Sequence, residues 1–351
     1  MNEQDTRSLS EAEIEDIRRL AHEHLQARHW EQAGDAFLKI VEQTSDDEDA
    51  LYGIAQSLDG LGRYDSLLPL ADNILNLYPN SARALAFKAR ALQKLERISE
   101  ATIANDQALL LDNQLPLSWI NRSGLQLLQQ KFPEALRSAQ RAAELAPEDA
   151  RAWANRGIAL LNFQRLTEAL ADFDKSLQCD PQFYFSLQMR GEALCSLGRM
   201  QEVIANARQA LQTQPNDVMI LTQAAQALRS LEMYDGLQLV AKELIKQTPN
   251  SVFAWEHYMR SCRGMGMYND ANQAFDRLLE LDPSNIQFWT FKADTLYRLE
   301  RYREAVSIAE RAVQFDMDYA PARRVHEKAL KMMYQKKEKR HKAPAPVQPQ
   351  E

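Results

Sequence analysis

The residues best suited to chemistry are three histidines, His22, His24 and His29, and three cysteines, Cys179, Cys195 and Cys262. Neither set has the spacing that chemistry requires. A metal pair on one helix face needs two ligands four residues apart, and no two of these histidines stand so. There is no CxxC pair, which argues against a zinc ribbon or a redox dithiol. An odd number of cysteines inside helical patterns reads as small buried hydrophobes in a reducing compartment. Gly264-Met265-Gly266 is too short for a phosphate-cradling loop and lies in a helix pattern. Carboxylates are plentiful, but they fall on helix surfaces, where solvation is their ordinary state. The expectation is a chain without catalysis, metal or cofactor, whose polar residues serve recognition.

Charge is distributed unevenly. The chain of 351 residues carries a net −7, yet Arg323–Lys342 holds nine Lys/Arg against Glu327 and Glu338. An acidic body lacks the basic face that general nucleic-acid binding needs. A row of cations, Lys88, Arg122, Arg156 and Arg190, recurs at one constant interval. Such a row has two readings: stems packed with heads reaching water or acids, or a ladder for phosphate. The start is polar and acidic, with no secretory core, and no run of about eighteen apolar residues occurs. A soluble cytoplasmic protein is expected. The closing APAPVQPQE is proline-rich and is expected to be disordered.

These residues must be positioned by helices. Ala150–Phe183 reads as two short helices joined by a tight turn, with Trp153, Gly157, Leu160, Ala169, Phe173 and Leu177 at packing positions and Pro181 as the stop. The pattern returns at the interval of the cation row without insertion or deletion, and a hydrophobic content of 45% is ample for one continuous core. Nine units follow: 14–47, 48–81, 82–115, 116–149, 150–183, 184–217, 218–251, 252–285 and 286–319, after an N-terminal segment 1–13. Ser10 and Glu13 form a capping-box pattern that predicts a helix start near Glu11. Bulky residues such as Trp119, Trp153, Trp255 and Trp289 are expected to anchor first helices in the core. Small ones such as Gly157 and Gly191 let the second helix approach. Met259 breaks that rule and predicts a wider pair. Aromatics at the turn (Trp30, Tyr64, Tyr234, Tyr268) are expected to plug gaps between units. Prolines end most second helices, and Asn113 and Met317 in their place predict looser or more continuous exits. Residues 320–340 read as a basic capping helix, with Ala322, Val325, Ala329 and Met332 turned inward, and 341–351 as the tail.

This pattern resembles the tetratricopeptide repeat, a helix–turn–helix unit of about 34 residues. The resemblance covers nearly the whole chain. It implies an all-α, right-handed α-α superhelix, and a concave face lined by the first helices. Carried over residue by residue, that face presents Arg83, Arg90 and Lys94 upstream. In the middle stand Leu117, Ile120, Asn121, Leu127, Leu128, Arg151, Asn155, Ile158, Leu161, Asn162, Phe185 and Met189. Downstream are His257, Arg260, Arg263 and Arg298. Asparagines would hold an extended ligand backbone and apolar side chains would form pockets. The carboxylate-gripping set of chaperone-binding family members is matched only in part, by Arg90, Asn121 and Arg151. Ala86 and Asn155 depart from it.

The expected function is an interaction scaffold that takes a partner's peptide or helix, apolar at its centre with acidic flanks. The alternatives are a trans-acting regulatory or substrate-recruiting subunit of an enzyme complex, and an electrostatic tether to nucleic acid or a membrane surface through the basic C-terminal helix.

Overall fold

In the computed structural model the backbone is described for residues 9–342 and the side chains for residues 9–337. The chain divides into two compact units, Met1–Met189 and Arg190–Glu351. The first holds α1 (Glu11–Gln26), α2 (Trp30–Gln43), α3 (Glu48–Leu61), α4 (Tyr64–Leu77), α5 (Ala82–Lys94), α6 (Ile98–Leu111), α7 (Pro116–Leu128), α8 (Phe132–Leu145), α9 (Ala150–Asn162) and α10 (Leu166–Cys179). The boundary falls within α11 (Tyr184–Ser196). The second unit continues with α12 (Met200–Thr213), α13 (Val218–Ser230), α14 (Tyr234–Gln247), α15 (Val252–Gly264), α16 (Tyr268–Leu281), α17 (Ile286–Arg298), α18 (Tyr302–Phe315) and α19 (Ala320–Lys342). Among the described residues there is no strand. The expected tail from 343 on, and the first eight residues of the N-terminal segment, lie outside the described residues.

The period is strict. Second helices begin at Trp30, Tyr64, Ile98, Phe132, Leu166, Met200, Tyr234, Tyr268 and Tyr302, always the same distance apart along the chain. From α3 onward the first helices keep this interval too. Only α1 is out of step, starting at Glu11. There Ser10 Oγ accepts from the Glu13 amide while the Glu13 carboxylate accepts from the Ser10 amide, the reciprocal cap that its sequence predicts. Every turn between paired helices contains one left-handed residue: Arg28, Gly62, Glu96, Gln130, Gln164, Gly198, Glu232, Gly266 and Glu300, with φ from 54° to 75°. Three are glycine, which adopts this conformation freely; the other six carry a Cβ, which makes it unfavourable.

Packing follows small-to-large complementarity. A Cβ on Gly157 would stand 2.7 Å from the Phe173 ring, so α9 and α10 approach as closely as glycine alone allows. Trp30 and Tyr234 lie over Gly60 and Gly264 of the following first helices, where a Cβ would come within 2.4 and 2.5 Å. Turn aromatics thus seal successive pairs. Met259, the departure from the small-residue rule, is buried beside Phe275 and Leu278.

Trp119, Trp153, Trp255 and Trp289 are half-buried and pack against the core clusters from their edge. Each indole N–H donates to a carbonyl six residues earlier, on Asn113, Pro147, Pro249 and Pro283, at 2.7–2.8 Å, stapling a first helix to the loop before it. The helix exits at Asn113 and Met317 are neither looser nor more continuous. Asp112 and Asp316 are extended like Asp180, and all three accept at Oδ1 from the amide two residues on. This aspartate turn ends the helix with or without proline.

The cation row pairs with neighbouring second helices. Lys88 reaches Asp72 at 2.8 Å and Arg122 stands 3.9 Å from Asp106. Arg156 bonds both oxygens of Asp172 at 2.5 and 2.7 Å, and Arg190 donates to Asn206 Oδ1 at 3.3 Å. At the C-terminal end, Ala322 and Ala329 of α19 are buried, and Leu330 and Met333 pack on Leu296 and Val306. The helix covers the last pair with one face. Arg323, Arg324, Lys328, Lys331 and Lys337 stay exposed.

Candidate functional site

First helices pack on first helices: α3 touches α1 and α5, and α7 touches α5 and α9. One layer of each unit is therefore built from residues of first helices and the loops at their ends, and the expected site residues fall on it.

In the first unit these residues have three different fates. Ile120 is buried with Ala142, Ala143 and Ala152. Asn121, 1% exposed, donates to the Ala86 carbonyl at 2.8 Å. Asn155 donates to the Ile120 carbonyl at 3.1 Å and to Ser123 Oγ at 2.8 Å. Both asparagines thus tie one first helix to the preceding one, 35 residues back, and the backbone that they hold is the chain's own. Leu117 is half-buried against the clusters around Ala84 and Leu85. Arg83 lies over the Tyr52 ring, 4.3 Å from its centroid.

Arg90 and Arg151 are engaged in ion pairs. Asp59 Oδ1 accepts from Arg90 Nε at 3.0 Å, and Asp59 Oδ2 accepts from Arg151 Nη1 at 2.9 Å. Arg151 also bonds both oxygens of Asp149. Burial pushes the Arg151 guanidinium down, but Asp149 and Asp59 more than reverse this, and it lies above its ordinary value. A further pair joins Arg28 to Asp180. These pairs surround a cavity of about 580 Å3, walled by Trp30, Tyr64 and Phe183.

The third group remains open. Leu128 is 60% exposed, Phe185 is exposed and edge-on to Phe183, and Ile158, Leu161 and Met189 are half-buried. Asn162 is exposed and donates to the Ile158 carbonyl at 3.1 Å.

In the second unit α13, α15 and α17 contribute to a cavity of about 480 Å3. Arg229, Arg260, Arg263 and Arg298 line it, with walls from Tyr234, Tyr268 and Phe291. Arg260 bonds Glu256 at 2.6 and 2.9 Å. Asp294 Oδ2 is shared by Arg263 at 2.6 Å and Arg298 at 3.1 Å. Burial pushes the Arg263 guanidinium down; Asp294 opposes the shift, while Arg298 and Arg260 add to it. His257, expected on this face, is instead 1% exposed. Its Nδ1 faces the Phe253 carbonyl at 2.8 Å and must donate. Burial holds its pKa below the ordinary value, with Arg229 and Arg260 acting the same way.

Arg229, Tyr234 and Asp59 belong to these cavities and were not among the expected site residues. Arg229 had a signal, since it stands one full repeat before Arg263. Asp59 had none, because its partner Arg151 is 92 residues away. Among the described residues no group of three His, Cys, Asp or Glu is placed to hold a metal, and no helix is long and apolar enough to cross a membrane.

Residues 126–182 and 263–329 each match the tetratricopeptide repeat as a family. No curated protein matches the sequence. Among solved structures, the chain is similar to PilF of Pseudomonas aeruginosa, with a TM-score of 0.52 and 20% identity over 60% of this chain and 97% of that one. It is also similar to a chain of the APC/C hetero-tetramer Cut9-Hcn1, with a TM-score of 0.47 and 14% identity over 86% of this chain. It spans 59% of the length of that relative. At these identities the likeness concerns the fold alone. The matched stretches, the unbroken repeat interval and the paired helices of both units make the chain a tetratricopeptide-repeat protein.

Proposed function

We propose that the protein is an interaction scaffold that holds a segment of a partner protein against its first-helix layer. Proteins of this repeat class are in general protein-binding scaffolds. The observation that carries the finer reading is the set of apolar side chains that first helices of the first unit leave accessible: Leu128 and Phe185 exposed, Ile158 and Leu161 half-buried. Exposed apolar side chains grouped on one face mark interaction sites, and an amphipathic or extended segment docks by such anchors. On the same unit Arg83, over the Tyr52 ring, supplies positive charge for an acidic flank.

The test is a benzophenone cross-linker placed at position 128 in the native cell, with position 239, where Leu239 is 69% exposed on a second helix, as the control. Cross-links to one partner segment from position 128 alone, lost in Ile158→Glu/Leu161→Glu at unchanged melting temperature, are expected. Equal trapping from both positions would refute the assignment.

A second reading draws on the exposed Arg323, Arg324, Lys328, Lys331 and Lys337 of α19, which suit an electrostatic tether to an anionic surface. Deleting Arg323–Glu351 separates the two. Loss of salt-sensitive binding to anionic vesicles or RNA with partner capture intact would assign the tether to α19.

A further inference from the structure

The arginine cavity of the second unit holds more guanidinium charge than its carboxylates engage. Glu256 serves Arg260, and one Asp294 carboxylate is divided between Arg263 and Arg298. Arg229, exposed at the end of α13, has no ion pair among the described residues, and neither has Glu232 on the cavity wall. Four guanidinium groups stand against Glu256, Asp294 and Glu232, which leaves an excess of one positive charge, with Arg229 the arginine that none of these acids engages. Like charges held together without enough counter-charge favour an anion in their midst.

We propose that this cavity binds the phosphate of a phosphorylated side chain in a partner polypeptide. The proposal rests on the reading above that the first-helix layer holds a partner segment, and it names one feature of that segment. A phosphate monoester carries nearly two negative charges at neutral pH and three acceptor oxygens. Its oxygens suit several arginines at once, and planar guanidinium forks bind it in bidentate fashion. One carboxylate offers two acceptor oxygens where the phosphate offers three. Tyr234, Tyr268 and Phe291 give the cavity apolar walls that suit an apolar residue next to the phosphorylated one.

The probe is a labelled hexapeptide, acetyl-Ala-Ala-phosphoserine-Phe-Ala-Ala-amide, titrated into the full chain. Serine and glutamate replace phosphoserine in parallel peptides, and inorganic phosphate serves as competitor. The phosphopeptide is expected to bind at least about tenfold more tightly than either comparator, the scale of one good charge-assisted contact. Arg229→Glu should weaken it by about tenfold, and Arg208→Glu, exposed on α12 outside the cavity, should not. Arg229→Gln, which removes charge without reversing it, carries the test should Arg229→Glu disturb the fold. Equal binding of the glutamate peptide, or no response to the Arg229 variants, would overturn the proposal. Inorganic phosphate binding as tightly as the peptide would overturn it too, in favour of a free anion. The cross-linking at position 128 reads the first unit, so a partner trapped there with no phosphopeptide binding refutes only this inference.

Discussion

Replacing Gly157 by alanine opposes two effects of known sign. In a helix interior alanine gains roughly 0.5–1 kcal/mol over glycine, because the unfolded chain has less freedom to lose. Against this, the new Cβ would lie 2.7, 2.9 and 3.1 Å from three atoms of the Phe173 ring, and Phe173 is fully buried. A ring that cannot yield to solvent must push α9 from α10, and overpacking of this kind costs about 1–3 kcal/mol. Gly157→Ala should therefore destabilise the protein by about 1 kcal/mol. Gly34 in α2 provides the opposite case, since its Cβ would meet Ser57 Cβ at 3.5 Å, an ordinary contact. Gly34→Ala should stabilise by up to ~1 kcal/mol. Urea unfolding followed by circular dichroism gives both differences from the midpoints at constant slope. A Gly157→Ala protein at least as stable as the parent would refute the packing argument. So would two shifts of the same sign and size.

Other substitutions probe the remaining devices. Gly198→Ala should cost about 1 kcal/mol through its left-handed backbone alone, because at φ +71° nothing lies within 4 Å of the new Cβ; thermal unfolding checks it. Arg156→Ala leaves the Asp172 carboxylate, 3% exposed, without its partner and should cost about 3 kcal/mol. Most of that should return in Arg156→Ala/Asp172→Ala, measured as a double-mutant cycle. Acid should weaken the first unit. The Arg18 hydrogen bond holds the Asp47 carboxyl below its usual range, and at Asp149 burial raises the value but Arg151 more than offsets it. Since both folded values are lowered, the unfolded chain takes up these protons first. The stabilisation is complete above about pH 4 and is lost as pH falls through the folded values. Arg18→Ala should flatten that acid limb in urea midpoints taken between neutral pH and about pH 3.

The helices were legible because their signal is redundant. Nine copies of one spacing leave no freedom of register, so the pairs and the Ser10–Glu13 cap fall where the residues predict. The fate of individual polar side chains was less so. Asn121 and Asn155 have the chemistry to hold an extended backbone, and they do hold one, but the carbonyls belong to Ala86 and Ile120. Residue type cannot tell a partner's carbonyl from a neighbouring helix's; the approach of the helices decides. Likewise Arg90 and Arg151 read as free cations, because Asp59 stands 31 and 92 residues from them. Lys88, Arg122 and Arg156 show the converse: the pairing with acids was foreseeable, and only the helix packing says which acids.

The ties from Asp59 to Arg151 and from Arg28 to Asp180 bear on how the first unit comes apart. An array in which each repeat meets only its neighbours unzips from either end, one module at a time. Here the opening module is ion-paired to the fifth through Arg28 and Asp180, and the second module through Asp59 and Arg151, so α1 and α2 cannot fray without breaking a tie to the loop after α10. Salt that weakens these bonds should turn a concerted melt of this half into a stepwise one.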